Sequence, residues 1–247
     1  MAGLVAAGLA FGGVRTILAS VGKALAPLGP EPARGLAAMG DRELRRALRG
    51  FRHRWVDGDD VAALLGAVRR VRDEHGSLES LFVRGDPGGP DVEGALAAFA
   101  GALRNADPGF ARRGAAAFVP SPAGGSACKR PALFLRWMVR DDGIDTGTWT
   151  RIDRARLVLP LDTHTARISR ALGLLRRPED DWKAVREATA SLRRLDPLDP
   201  AKYDFALCRL GILDLCPRKR RAATCRACDL YDVCRYGRNG PITGGSS

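Results

Sequence analysis

LPLDTHTARISRALGL, Leu159–Leu174, carries its own start and stop signals for a helix. Asp162 stands where a carboxylate can accept from the first free backbone N–H groups, and Gly173 stands where a left-handed residue ends a helix. The pattern predicts a helix over 163–172. The same period recurs on both sides of it, in Val61, Leu64, Leu65, Val68 and Val71 and again in Ala184, Val185, Ala188, Leu192 and Leu195. Ala, Leu, Val and Arg dominate and β-branched runs are scarce, so the expected class is all-α.

Working outward, helices are expected near 2–26, 41–50, 59–75, 77–83 and 91–105. Pro108, Gly109, Gly114, Pro120, Pro122, Gly124 and Gly125 then form a long connection. A helix near 130–140, a polar stretch over 141–150, and helices near 181–195 and 200–214 complete the reading. Residues 240–247 read as a disordered end, and no repeat is evident.

The apolar start, Met1 to Phe11, lacks the basic residues of a secretory signal and is soon followed by Arg15 and Lys23. It reads as a buried amphipathic helix, and its apolar face, already running at Met1, leaves room for a segment upstream. A chain of 247 residues suits one large domain or two small lobes. It has no run of about eighteen uncharged apolar residues, so no membrane span is expected.

Forty Lys and Arg against 28 Asp and Glu give a formal charge of +12. That excess points to a polyanionic partner, nucleic acid first, although arginine is abundant along the whole chain. Six cysteines without an export signal argue for reduced thiols or metal ligation in the cytoplasm, not for a disulfide framework.

The tail LCPRKRRAATCRACDLYDVCR, from Leu215, spaces Cys216, Cys225, Cys228 and Cys234 as C-x8-C-x2-C-x5-C. Thiolates suit an iron–sulfur cluster or tetrahedral zinc. Structural zinc usually uses two short pairs; one short pair with two wide outer gaps favours a cluster wrapped by a loop, [4Fe–4S] being the expected group. The longest gap carries Arg218, Lys219, Arg220 and Arg221, which suit phosphate contacts or a solvated surface. Cys208 sits among apolar neighbours and reads as core. Cys128 adjoins Lys129 and Arg130, which fits a small packed thiol or a reactive one.

These residues resemble a known family. The tail is similar to the iron–sulfur loop of the endonuclease III and adenine-glycosylase branch of the helix-hairpin-helix DNA glycosylase superfamily, where four cysteines follow a segment like LGILDLC. LPLDTHTARISRALGL resembles the stretch that supplies that superfamily's catalytic aspartate, which maps it onto Asp162. CKRPALFLRWMVR, Cys128–Arg140, is similar to the second helix of the hairpin, and the Schiff-base lysine of bifunctional members falls on Lys129. Taken together, LFLRWMVR, LDTHTARI and KYDFALCRLG look like an uncharacterised bacterial branch of the superfamily, over most of the chain.

The resemblance implies a two-lobed helical fold: an N-terminal helical region and linker over 1–128, a hairpin-like region with the catalytic aspartate over 129–214, the cluster loop over 215–236 and a tail over 237–247. It implies a monomeric, nucleoid-associated repair protein on damaged or structurally unusual duplex DNA. The activity implied is that of a DNA N-glycosylase, with AP-lyase chemistry if Lys129 is a nucleophile. Arg130, Arg136 and Arg140 join residues 218–221 as expected DNA contacts. A non-catalytic DNA-structure-binding module of the same fold is the alternative, and a zinc-ribbon adaptor a third.

Two departures bear on this. VPSPAGGSACKR stands where the superfamily's hairpin reads LPGVG, so the usual phosphate turn is not carried over. Lys129 and Asp162 are 33 positions apart, because residues 141–156 read as an insertion. Asp162 also suits a plain N-cap, His164 a structural hydrogen bond, and Asp204 a weak second acid. Trp137, Phe134 and Tyr203 are candidates for a wedge beside a flipped nucleotide.

Overall fold

The computed structural model describes residues 1–239. Its α-helices are α1 (Ala2–Gly8), α2 (Val14–Leu25), α3 (Pro32–Ala38), α4 (Asp41–Ala47), α5 (Gly58–His75), α6 (Leu78–Arg84), α7 (Glu93–Ala106) and α8 (Arg113–Ala116). They continue as α9 (Lys129–Val139), α10 (Thr163–Leu172), α11 (Trp182–Arg193), α12 (Asp204–Ile212), α13 (Ala222–Arg226) and α14 (Arg235–Asn239). The only sheet among the described residues is an antiparallel hairpin of β1 (Arg52–His53) and β2 (Val56–Asp57), so the chain is all-α. No helix among the described residues is long and apolar enough to cross a membrane.

The central helix is α5. Asp57 caps it by accepting from Asp60 N at 3.1 Å while Asp60 accepts from Asp57 N at 3.0 Å, a reciprocal pairing of two otherwise orphan donors. Val61, Leu64, Leu65, Val68 and Val71 are buried as their spacing predicts, and α4, α6 and α7 pack around the helix. Buried apolar residues from Leu4 to Leu207 form one contiguous core, which crosses the boundary expected after 128 because α1 packs on α9.

The expected helix over 2–26 is two helices. The chain breaks at Gly12, whose φ of 101° is open only to glycine at low cost, and restarts after Gly13. α1 is the buried piece. Its Gly8 lies so close to the Phe118 ring that a methyl group there would collide with it. Leu195 was expected on a buried face; α11 ends at Arg193 and Leu195 is exposed. Of the tail expected over 237–247, residues 237–239 are the end of α14, and Gly237 is buried. The disordered end expected over 240–247 lies outside the described residues.

The stretch over 141–156, expected as an insertion, is a folded element. Asp141 and Thr146 form a bridge, Thr146 N donates to Trp137 O at 2.9 Å, and Trp149 N donates to Met138 O at 2.7 Å. Trp149 then enters an aromatic cluster with Phe82, Phe99 and Phe134. Phe134 is therefore core and is excluded as a wedge. The segment closes on the end of α9, and the apolar run Leu157, Val158, Leu159 and Leu161 returns the chain through the core to Asp162.

Asp145 of the insertion is buried between Arg136 and Arg140. Arg136 pairs with Asp145 at 2.9 Å and with Asp204; Arg140 pairs with Asp145 at 2.6 Å, Asp199 at 3.0 Å and Asp142 at 2.9 Å. Burial works to lower the pKa of both guanidiniums, yet the carboxylates around them raise it. The two arginines are thus structural, correcting the expectation that they contact DNA. Their i, i+4 spacing puts them on one face of α9, and that face is turned inward. Removing one partner of a buried pair strands the rest. Arg136→Leu is expected to lower unfolding free energy by about 3 kcal/mol or more, read as a fall in urea midpoint.

Candidate active site and cysteine cavity

Lys129 opens α9 and Asp162 opens α10. Cys128, in front of Lys129, has φ 48° and ψ 36°, a left-handed conformation uncommon outside glycine. Its N–H donates to Ser126 Oγ at 3.1 Å and its Sγ to Pro120 O at 3.4 Å. Burial pushes the Cys128 thiol up to about 11, so it is the packed thiol and not the reactive one. The turn starts the helix with Lys129 directed at Asp162. Lys129 Nζ lies 3.2 Å from Asp162 Oδ2, both side chains partly accessible.

Asp162 divides its two oxygens between two tasks. Oδ1 accepts from His164 N at 2.8 Å, Thr165 N at 2.9 Å and Thr165 Oγ1 at 3.0 Å, while Asp162 N donates to Thr165 Oγ1 at 2.7 Å. Oδ2 is left to face Lys129. Burial acts to raise the pKa of this carboxyl, but the Thr165 N–H, the Lys129 charge and the Thr165 hydroxyl together hold it below the ordinary range.

A carboxyl whose folded pKa is depressed contributes stability above its unfolded pKa and loses it as pH falls through the folded value. The stability advantage of wild type over Asp162→Asn is therefore expected to be flat from about pH 5 to 8 and to shrink below about pH 4, read by thermal melts at each pH.

Asp204, 4% exposed, stands behind this pair. Burial pushes it up to about 6 against the pull of Arg136, and the charge of Asp162 adds to the rise. Half-buried Cys208, one turn on, is pushed up to about 11 by burial with Asp204 and Asp162 contributing. His164 packs on α12 at Gly211, where an added Cβ would lie 2.6 Å from its Nδ1. That contact fits the structural role expected for it. The buried carboxylates Asp145 and Asp199 had no signal in the sequence beyond their lying near arginines at helical spacing.

The arginines of the expected DNA surface divide in two. The Arg130 guanidinium lies 4.5 Å from the Phe11 ring centroid and 5.9 Å from that of Trp55, and donates to Ala117 O, so it is occupied within the fold. Arg220 is buried and donates to Gly237 O at 2.9 Å. Both differ from the free phosphate contacts expected of them: Arg220 is buried, and Arg130 is engaged by two rings and a backbone carbonyl. Arg218, Lys219 and Arg221 are exposed. With His164, Arg167 and Gly211 they line a cleft beside the start of α10.

Cys216, Cys225, Cys228 and Cys234 line one cavity, closed by Pro217, Tyr231 and Gly237. The sulfurs are approached by donors. Arg167 Nη1 donates to Cys216 Sγ at 3.4 Å and Gly237 N to Cys234 Sγ at 3.2 Å. Arg167 also donates to Cys216 O at 2.5 Å, and Arg235 packs against Gly173, which ties the cysteine loop to α10. Among the described residues no three His, Cys, Asp or Glu side chains already stand as a site for a single metal ion. Four thiols around one cavity, with N–H donors aimed at sulfur, is a donor set that suits a polynuclear iron–sulfur group.

An all-helical chain with a lysine–carboxylate pair at the abutting starts of two helices, and a cysteine-lined cavity docked on the second, is the class these features define. A family model described as "Protein of unknown function (DUF2400)" matches residues 1–213, and the chain belongs to that family. The match contains Lys129 and Asp162 and ends just before Cys216. No curated protein and no solved structure matches the chain.

Proposed function

We propose that the protein is a DNA N-glycosylase of the two-lobed helix-hairpin-helix type, acting on damaged bases at the Lys129–Asp162 pair, with a [4Fe–4S] cluster held by the four tail cysteines. The observation that carries this reading is the 3.2 Å separation of Lys129 Nζ and Asp162 Oδ2 across 33 positions of sequence. Breaking the C1′–N bond leaves its electron pair with the departing base and builds positive charge on the sugar. Asp162, held ionised, offsets that charge. Lys129 gives one proton to the departing base and its free amine attacks C1′; a second Nζ proton passes to the ring oxygen as the ring opens, leaving a protonated imine between Nζ and C1′, the step that permits strand cleavage afterwards. The cluster supplies a rigid fastening for the tail, and the exposed Arg218, Lys219 and Arg221 beside it contact phosphates.

A panel of duplexes, each with one damaged or mismatched base, tests this by base release and strand scission. Turnover of at least one duplex by the full chain is expected. Binding to DNA with no base released from any of them would leave the non-catalytic DNA-structure-binding reading, which the rebuilt turn before α9 favours.

A further inference from the structure

The most strongly charged feature outside the site is on the N-terminal side. Arg42, Arg45, Arg46, Arg49 and Arg52 are all exposed and line one groove, floored by the buried Leu48 and Phe51. Four of them recur at i, i+3, i+4 and i+7 along α4 and its continuing turn, which puts them on one face. Among the described residues none of the five side chains has a hydrogen-bond or ion-pair partner.

The carboxylates nearby are committed elsewhere. Asp41 pairs with Arg69 at 2.6 Å and Arg70 at 3.1 Å, and Glu43 Oε2 accepts from Gly40 N at 2.9 Å. Asp57, Asp59 and Asp60 face Arg112 at 2.6, 4.0 and 3.0 Å. Asp57 and Asp59 also line the groove but face Arg112, so the five arginines leave a net positive charge there that an external anion would offset.

The β1–β2 hairpin carries this groove toward the candidate site. Arg54 at its tip has φ 54°, and Trp55, 51% exposed, stacks on Phe11 with ring centroids 4.3 Å apart and planes 22° apart. Arg130, next to Lys129, packs on the same two rings. Trp55 is thus fixed by Phe11 and Arg130 on the hairpin that follows the arginine groove, with about half of its surface accessible.

We infer that the α4 groove is a second DNA-binding surface, in which the five arginines hold the phosphate backbone and Trp55 stacks on an unpaired base. The inference rests on the reading of Lys129–Asp162 as a DNA-acting site. A concave groove beside a flat indole suits a strand with bases better than it suits a bilayer surface.

The test uses the full chain and fluorescently labelled DNA, followed by anisotropy over a salt series. Arg45→Gln/Arg46→Gln/Arg49→Gln, checked by circular dichroism, is expected to bind more weakly and to flatten the slope of log K against log salt by about 2 to 3. Trp55→Ala is expected to weaken binding to DNA with an unpaired base by about five- to a hundredfold and to spare fully paired duplex. Unchanged slope and affinity in the triple variant would overturn the inference, as would wild-type binding to phosphatidylserine vesicles with none to DNA. Borohydride trapping on the same proteins separates the two readings. Wild type that traps DNA while the groove variants bind normally removes only the groove; groove variants that lose binding while wild type traps nothing and releases no base leave the groove and remove the enzyme.

Discussion

Asp162→Asn is expected to reduce base release by about 10²- to 10³-fold while leaving DNA affinity near that of wild type and lowering stability only by the lost pairing with Lys129. The substitution is informative because the carboxylate's two oxygens have separate tasks. Oδ1 caps α10 through His164 N and Thr165 N, and asparagine caps a helix about as well as aspartate. Oδ2 faces Lys129, and asparagine removes its charge. Asp162→Ala removes both, and is expected to lose about 1 kcal/mol of stability as well. Loss of stability in Asp162→Ala but not in Asp162→Asn, with activity retained in both, would assign Asp162 to capping alone.

The second large effect is expected at the tail. The full chain prepared without oxygen should be brown, with broad absorption near about 400 nm from iron–sulfur charge transfer, and should contain iron and acid-labile sulfide. Cys228→Ser should lose that absorption, since Cys228 lines the cavity beside Cys225 at the centre of the ligand set. Because Arg167 and Arg235 fasten the tail to α10, the variant is also expected to melt earlier and to expose the tail to proteolysis. A colourless, zinc-loaded wild type would contradict the cluster.

Some of this was legible in the sequence because the signals were local. Asp162 and Gly173 bound α10 as their chemistry requires, and the apolar period of α5 names its buried face. The break at Gly12 and Gly13 is not visible in the apolar pattern, which continues across it. Arg136 and Arg140 show the limit of periodicity, which says that two side chains share a face but not which way the face points. Their partners Asp145, Asp199 and Asp204 come from the 141–156 segment, from a turn 59 positions beyond Arg140 and from a helix 68 positions beyond Arg136. The meeting of Lys129 with Asp162 was equally hidden, since it depends on residues 141–156 folding back on α9. The hairpin bearing Trp55 gave no signal, because each strand is two residues long and its tip uses a left-handed arginine where a glycine would announce a turn.

The central claim is that Lys129 and Asp162 form a reaction centre for DNA. Borohydride reduction of the full chain mixed with duplexes carrying an abasic site or a damaged base tests it most directly, because only an imine between protein and sugar is captured. A covalent protein–DNA adduct is expected with wild type and not with Lys129→Gln. An adduct of equal yield in Lys129→Gln, or none with wild type on any duplex that it binds, would contradict the account.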